Sequence, residues 1–211
     1  MRPRHARIRS SALLTAILVC AIVVCTIPAS AQTQAPVRIL ITYHSQTGNT
    51  ENLAQAVAAG AKDVPGVVVT LAKMADVKDA DIATFDGVVV GTPVHWASLS
   101  TESRRFLDRL GAGLGVTKVW GDGRTAGVFC TGGNVSSGKE MARLAMMSSL
   151  MEMRFIVIGG VDADGFGTLG PSATTGPADP GVSEIELKEG RAFGERFARF
   201  TRQFRAGETR K

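Results

Sequence analysis

Cysteine is scarce in this sequence, which contains three in 211 residues. Cys20 and Cys25 lie in an N-terminal apolar segment, so Cys130 is the single thiol in the rest of the chain. One thiol cannot form an intramolecular disulfide, and a disulfide-stapled framework is therefore excluded. Stability must come from a packed hydrophobic core, which a chain of this length is able to bury.

An excess of charge of one sign is also absent once the N-terminus is set aside. The whole chain carries 24 Lys and Arg against 19 Asp and Glu. Residues 1–31 hold four of the basic residues and none of the acidic ones, which leaves 20 basic against 19 acidic residues. This balance creates no field for nucleic acid or anionic lipid, so neither is expected as a partner.

The N-terminus has the three regions of a secretory signal. Four arginines precede an apolar run of 16 residues, Ala12–Ile27, and Ala29–Ala31 is an A-x-A cleavage site. The run is shorter than the roughly 20 residues that a membrane-spanning helix needs. We predict a signal peptide over 1–31, export to the periplasm, and one mature domain over 32–211 without a membrane span. If the signal is not cleaved, it anchors the protein in the membrane instead.

Short apolar runs alternate with helix-like segments along residues 32–211. Continuous β-branched runs of this length are typical of strands buried on both faces of a parallel sheet. Their alternation with helices predicts a doubly wound α/β fold with five parallel strands and helices on both faces. The predicted strands are Val37–Tyr43, Gly66–Leu71, Asp86–Gly91, Thr125–Cys130 and Phe155–Gly159.

The predicted helices carry start signals and apolar stripes. Ser137 with Glu140, and Ser183 with Glu186, have the spacing of a capping box. Four phenylalanines of the last helix recur at i, i+4, i+7 and i+11, and we expect this stripe to face the core. The helices are Thr50–Ala61, Thr101–Leu110, Lys139–Met153 and the segment after Ser183 with Phe193, Phe197, Phe200 and Phe204.

A polar loop without lysine follows the first predicted strand. Ligands of doubly wound sheets bind beyond the carboxyl ends of the strands. A phosphate site needs hydroxyl donors, backbone N–H groups at a helix N-terminus, and a glycine for close approach. Because the loop lacks lysine, it suits a monophosphate rather than a nucleoside triphosphate. Its residues are Ser45, Gln46, Thr47, Gly48, Asn49 and Thr50.

Two more turns follow the third and fourth strands. In the first, Trp96 and His95 could stack on a flat aromatic ring, although Trp96 could instead cover the core. In the second, two glycines allow backbone N–H groups to approach a ligand edge. One phosphate site and two ring-facing turns together predict an FMN site. The turns are Thr92, Pro93, Val94, His95 and Trp96, followed by Thr131, Gly132, Gly133 and Asn134.

These motifs resemble those of the flavodoxin-like family, and in their order they are similar to the WrbA-type NAD(P)H:quinone oxidoreductases. Besides the phosphate loop, the likeness rests on the G-T-P turn, Arg105–Asp108, the T-G-G turn and Gly170–Gly176, and it spans residues 37–204. It implies that residues 45–50 hold the FMN phosphate, residues 94–96 face the isoalloxazine, and residues 131–134 face its pyrimidine edge. It also implies a homo-oligomer, a dimer or tetramer.

The sequence departs from the WrbA-type pattern at three places. The connection Lys73–Phe85 lacks an insertion, Thr47 replaces an aromatic residue associated with the nicotinamide, and Leu150-Met151 replaces a histidine. The resemblance therefore supports FMN binding by this chain more strongly than it supports the use of NAD(P)H or the formation of an oligomer.

The leading hypothesis is an FMN-dependent oxidoreductase that reduces quinones by two electrons. NAD(P)H is one candidate donor, and a membrane quinol or redox protein is another, because an exported enzyme meets little NAD(P)H. No catalytic residue is certain, but His95 is the candidate for passing a proton, and no metal site is expected. The alternatives are a non-enzymatic FMN electron carrier of the flavodoxin type in the cell envelope and a flavin-free binding domain.

Overall fold

A computed structural model describes residues 35–118, 120–161 and 167–208. The signal peptide predicted over residues 1–31 lies outside these described residues. In chain order the elements are β1 (Val37–Tyr43), α1 (Asn49–Lys62), β2 (Val67–Lys73), α2 (Asp79–Ile82), β3 (Gly87–His95), β4 (Ser98–Leu99), α3 (Thr101–Thr117), β5 (Thr125–Gly132), α4 (Lys139–Glu152), β6 (Ile156–Val157), β7 (Ser172–Thr174) and α5 (Glu184–Glu208).

The sheet confirms the predicted doubly wound α/β class. Its main path has the order β2-β1-β3-β5-β6, and every pair along this path is parallel. Two short strands were not predicted: β4 pairs antiparallel with β3, and β7 pairs parallel with β5. With two and three residues, they are too short to show a hydrophobic period in the sequence.

Alternate residues of the central strands pack into two cores, one on each face of the sheet. Ile39 and Ile41 of β1 contact the core formed with α1 and α5, whereas Leu40 contacts the core formed with α3 and α4. All three side chains are almost completely buried. The period of two along a strand thus places helices on both faces, as predicted.

Two glycines allow α1 and α5 to pack with their backbones in direct contact. A Cβ on Gly60 would lie 1.8 Å from the carbonyl oxygen of Arg191, and a Cβ on Gly194 would lie 1.9 Å from that of Val57. Any larger residue would force the helices apart. The position of α1, which begins at the predicted phosphate loop, is therefore set by this contact with α5.

The predicted capping box forms at the start of α5 but not at the start of α4. Glu186 accepts hydrogen bonds from the backbone N–H of Ser183 (2.9 Å), and Ser183 Oγ accepts from that of Glu186 (3.3 Å). For α4 the N-cap is Gly138, and Ser137 Oγ donates instead to the carbonyl of Asn134 (3.0 Å). The loop before α4 thus satisfies Ser137 locally and removes it from the cap.

The phenylalanine stripe of α5 faces the core for only part of its length. Phe193 and Phe197 are completely buried, but Phe200 is 43% exposed beneath the guanidinium of Arg196. Thr201, four residues after Phe197, takes the next buried position, and its hydroxyl lies 2.6 Å from that of Thr125, so Phe200 is displaced from the core-facing side of the helix. Within the described ranges, none of the helices combines the length and apolar character that crossing a bilayer requires.

Candidate functional site: a cleft at the carboxyl edge of the sheet

The loop between β1 and α1 turns sharply at Gly48. Its backbone is left-handed there (φ 93°), a conformation that glycine adopts without steric cost, and a Cβ at this position would meet no atom within 4 Å. Gly48 N–H donates to Ser45 Oγ (3.1 Å). The loop is therefore closed by its own polar groups, while one side of it opens into free space.

Two side chains tie this loop to distant parts of the chain. The amide nitrogen of Asn49 donates to Thr47 Oγ1 (2.9 Å) and to Asp179 Oδ1 (2.7 Å). The hydroxyls of Thr50 and Thr131 lie 2.8 Å apart and are buried. The start of α1 is thus joined to the end of β5, although the two are 81 residues apart in sequence.

The predicted turn after the third strand is a hairpin. β3 continues to His95, and its pairing with β4 brings His95 opposite Ser98, so Trp96 and Ala97 form a two-residue connection. Both have positive φ (52° and 59°), as a type I′ turn requires, although neither is glycine or asparagine. Trp96 is fully exposed, so it does not cover the core.

Thr92 does not face the cleft, since its side chain is committed to the base of this hairpin. It is completely buried, accepts a hydrogen bond from the backbone N–H of Ser100 (3.0 Å) and donates to the carbonyl of Pro93 (2.9 Å). Ser100 in turn caps α3 by accepting from the N–H of Ser103 (3.2 Å). Thr92 therefore stabilises the hairpin from below.

The predicted glycine turn after the fourth strand begins two residues later than expected. Thr131 and Gly132 are the last residues of β5, whereas Gly133 and Asn134 are exposed beyond it. A Cβ on Gly133 would meet no atom within 4 Å. The backbone at Gly133 is thus open to a ligand.

These segments meet in one cleft of about 130 Å³. The cleft is smaller than the 300–1,000 Å³ of typical drug-sized ligand pockets, so a mononucleotide would extend beyond its mouth. Ser45, Gly48, Thr92, Trp96 and Asn134, although predicted for the site, do not line it. Thr175, which was not predicted, does. The lining residues are Gln46, Thr47, Asn49, Thr50, Pro93, Val94, His95, Thr131, Gly132, Gly133 and Thr175.

A second histidine, also not predicted, supports His95. The rings of His44 and His95 meet edge to face, with centroids 6.1 Å apart. His44 Nδ1 lies 2.9 Å from Ser100 Oγ and 3.5 Å from a carboxylate oxygen of Glu102. Burial lowers the pKa of His44, and Glu102 opposes this effect in part. His44 is consequently biased toward its neutral form, which gives His95 a polar, uncharged neighbour.

A hollow of about 230 Å³ adjoins this histidine pair. Glu102, Phe106 and Arg109 of α3 and the segment Met74-Ala75 line it, together with Arg105. Arg109 is held by the carbonyls of Met74 (3.1 Å) and Val77 (2.6 Å), so the wall of the hollow is fixed to the connection after β2. Glu102 both borders the hollow and approaches His44.

The donors of the cleft fit the phosphate of a mononucleotide. Near the start of α1 they are hydroxyls, amides and backbone N–H groups, and the first N–H groups of a helix have no carbonyl partner within it. Open space at Gly48 and Gly133 lets the backbone approach a ligand. Within the described residues, no group of three His, Cys, Asp or Glu side chains is arranged to hold a metal ion.

A protein-family model described as "Flavodoxin domain" matches residues 40–150, more than half of the chain. This chain belongs to the flavodoxin domain family. The flavodoxin domain is an FMN-binding fold, and its residues here include the phosphate loop, the hairpin and the end of β5.

Two proteins similar to this flavodoxin-domain chain have different names. The chain is 33% identical over 127 residues to a flavodoxin of Aquifex aeolicus, which covers 59% of this chain and 66% of that protein, slightly under two thirds. It is 28% identical, in an alignment of 146 residues, to an NAD(P)H dehydrogenase (quinone) of Acidithiobacillus ferrooxidans, covering 58% and 70%. One name is that of an electron carrier and the other that of an enzyme.

Solved structures confirm the fold. A WrbA-like flavodoxin of Agrobacterium tumefaciens has a TM-score of 0.63 at 21% identity, covering 80% of this chain and 99% of that one. A flavodoxin from the domain Archaea has a TM-score of 0.61 at 20% identity, covering 79% and 99%. At these identities the likeness extends to the fold alone.

Proposed function

We propose that this protein binds FMN in the cleft and reduces quinones by two electrons, as a WrbA-type oxidoreductase does. The observation that carries the proposal is the meeting of the phosphate loop with the ends of β3 and β5 around one open cleft. That cleft combines neutral phosphate donors with a histidine. The Acidithiobacillus relative, named a quinone dehydrogenase, supports the same activity.

Each part of the cleft has a role in this proposal. Thr47, Asn49 and Thr50 hold the phosphate through the Thr47 hydroxyl and the backbone N–H groups at the start of α1, while Gly132 and Gly133 bring the backbone to the ring. FMN, when bound, supplies the redox chemistry, and the protein orients it and adjusts its electronics. His95 lines the cleft and is the candidate there for passing a proton.

The proposed donor and location follow from the sequence. Thr47 stands where WrbA-type proteins present an aromatic residue to the nicotinamide, so we propose that NAD(P)H is a poor donor. We further propose that the chain is exported and cleaved after Ala31, where a quinol or redox protein is the more accessible donor. The exposed apolar side chains Met141, Leu144 and Met151 along α4 support a homo-oligomer.

A flavodoxin-type electron carrier is the second candidate, favoured by the Aquifex relative. Carriers of that type are usually strongly acidic for docking to basic partners. The balance of 20 basic and 19 acidic residues after position 31 does not supply such a surface. We therefore place the enzyme first.

Stopped-flow spectroscopy of the purified protein tests the function by following reduction and reoxidation separately. We expect a yellow protein with one FMN per chain, slow reduction by NADH or NADPH, and fast two-electron reoxidation by benzoquinone. Reoxidation in one-electron steps, with negligible quinone turnover, would favour the carrier. A colourless protein that takes up no FMN would refute both. Mass spectrometry of the protein from an envelope fraction tests export, since a full-length cytoplasmic species as the main form would contradict it.

A further inference from the structure

Two cationic side chains are buried behind the cleft. Lys139 and Arg143, one turn apart on α4, are only 6% and 5% exposed. Lysine and arginine are rarely buried to this degree without a paired charge, because removing an ammonium or guanidinium group from water costs several kcal/mol. The arrangement around them therefore indicates which group compensates each charge.

Lys139 extends along the wall of the cleft. A Cβ on Gly132 would lie 3.0 Å from Cγ of Lys139, so the lysine stem packs directly beneath this cleft residue. The Lys139 ammonium donates a hydrogen bond to Thr174 Oγ1. Thr174 pairs with Gly132 across the β5–β7 ladder and precedes Thr175, which also lines the cleft. The ammonium group is thus bonded to Thr174, the residue that directly precedes one of the residues lining the cleft.

The charge of Arg143 is compensated within the protein. Its guanidinium donates to the carbonyls of Gly170 and Lys139 and pairs with the carboxylate of Glu140 (3.3 Å). For Lys139, no carboxylate of the described residues lies within 4 Å of the ammonium. Of the two cations, Lys139 is the one whose charge lacks a paired anion in this part of the structure.

Neighbouring acidic groups are engaged elsewhere. Glu186 accepts from the backbone N–H of Thr174 (2.6 Å) and from both donors of Ser183. Burial raises the pKa of Cys130 to about 12, despite the lowering effect of Arg143 and Lys139. Cys130 is consequently a neutral thiol at physiological pH and supplies no anion to Lys139.

We propose that Lys139 stabilises the negative charge that bound FMN gains on reduction, and so raises the reduction potential of the flavin. The inference rests on the proposed FMN site. Two electrons and one proton from the donor convert the neutral oxidised ring into an anion, and a fixed cation at the cleft wall favours that form over the oxidised one. Arg143 positions Lys139 by holding its carbonyl oxygen. This assignment makes Lys139 an electrostatic residue rather than a proton donor.

The test measures the two-electron reduction potential of FMN bound to the full chain carrying Lys139→Gln. Glutamine keeps a donor for Thr174 without the charge, and Lys139→Met serves as a second neutral variant. We expect reduced flavin to bind about tenfold more weakly relative to oxidised flavin, a potential lower by about 30 mV for a two-electron couple. Lys139→Arg should restore most of the wild-type potential. Lys62→Met, on an exposed lysine at the far end of α1, is the matched control and should change nothing.

Riboflavin, which lacks the phosphate, separates a ring contact from a phosphate contact. If Lys139 acts on the ring, Lys139→Gln shifts the potential of bound riboflavin as much as that of FMN. If the variant weakens FMN but not riboflavin binding and leaves the potential unchanged, Lys139 is a phosphate ligand and the proposal is wrong. A lower melting temperature with an unchanged potential would make it a structural residue and overturn the proposal too. Failure of the wild-type protein to bind FMN would instead remove the proposed function itself.

Discussion

The loop after β1 and the hairpin after β3 border the same cleft, but their conformations are stabilised differently. In the loop, the left-handed residue is Gly48, and Ser45 and Asn49 supply hydrogen bonds from within the loop itself. In the hairpin, the left-handed residues are Trp96 and Ala97, which have no such freedom. The conformation of the loop is therefore stabilised by the loop's own residues, whereas the conformation of the hairpin is stabilised by the residues packed around it.

Those surroundings are visible beneath and beside the hairpin. Thr92 and Ser100 join its two strands at the base, and its tip lies against Gly138, where an added Cβ would come within 2.5 Å of the Cα of Ala97. Non-glycine residues in the left-handed region cost about 1–3 kcal/mol each and tend to occur at functional sites. The comparison indicates that the conformation of the loop has little steric cost, whereas the hairpin loses stability by placing an exposed tryptophan in the left-handed region.

The largest effect is expected from a charge placed in the loop. Thr47→Glu puts a carboxylate where we propose that the phosphate binds, and electrostatic repulsion should weaken FMN binding by at least about 100-fold, or about 2.8 kcal/mol. Fluorescence titration of the apoprotein with FMN measures this. Thr47→Val is the matched control, because it removes one hydroxyl and its hydrogen bond, worth about 0.5–1.5 kcal/mol. Retention of stoichiometric flavin by Thr47→Glu would show that the phosphate binds elsewhere.

The hairpin should respond in the opposite direction, with a gain in stability. Asn-Gly is the preferred pair for a type I′ turn, so the double substitution Trp96→Asn and Ala97→Gly should raise the free energy of unfolding by about 1–3 kcal/mol. Urea denaturation of the apoprotein measures the change. Ala97→Gly alone should give roughly half of it. An unchanged midpoint and slope would mean that the positive φ values carry no cost.

Flavin binding should reveal what the strained hairpin provides. If Trp96 stacks on or beside the isoalloxazine, the same double variant should bind FMN up to about tenfold more weakly, since an aromatic pair contributes about 0.5–1.5 kcal/mol beyond area burial. In a Trp120→Phe background, the fluorescence of Trp96 should fall strongly on FMN binding and return when the flavin is removed. Equal emission from the apo and holo forms would place Trp96 away from the ring.

The sequence predicted best what short-range patterns determine. All five main strands begin within one residue of their predicted positions, because β-branched runs have clear starts. The expectation that all of them are buried on both faces was wrong for β2 and β6, which lie at the edges of the main path and are only partly covered. The ends of the strands were predicted less accurately. β3 continues to His95 because it pairs with β4, and no pattern in the sequence predicts this pairing. The helix predicted to end at Leu110 continues to Thr117, since Leu114 is buried in spite of two intervening glycines.

The sequence could predict the cleft residues that directly follow the main strands, but not the residues that more distant segments bring to the cleft and to its neighbours. The loop from Ser45 to Thr50 is a local motif. Thr175, Asp179 and His44 take part through contacts with residues 43 to 130 positions away, and no periodicity predicts such contacts. His44 lies between the first strand and the loop, and its polar partners Ser100 and Glu102 come from the start of α3, 56 and 58 positions further along the chain.

His44 also joins the two regions compared above, because it directly precedes the loop and its ring contacts that of His95, next to the turn of the hairpin. Its environment contains opposing influences. Burial and His95 lower its pKa, whereas the carboxylate of Glu102 at 3.5 Å raises it, and the lowering prevails. The smallest predicted effect is therefore on how the free energy of unfolding depends on pH. The sign of this dependence shows whether burial or Glu102 has the larger influence on the pKa of His44.

When the pKa of a histidine is lower in the folded protein, the unfolded chain takes up a proton first as the pH falls below about 6.5, and stability declines. The wild-type protein should therefore lose stability relative to His44→Gln between pH 7.5 and the lower folded pKa, and the difference should become constant below it. Urea denaturation of both proteins across this range measures the difference and cancels the other titrating groups. Glu102→Gln should enlarge the loss, because it removes the group that attracts the proton. A wild-type protein that gains relative stability on acidification would mean that Glu102 outweighs burial and that His44 enters the site as a cation.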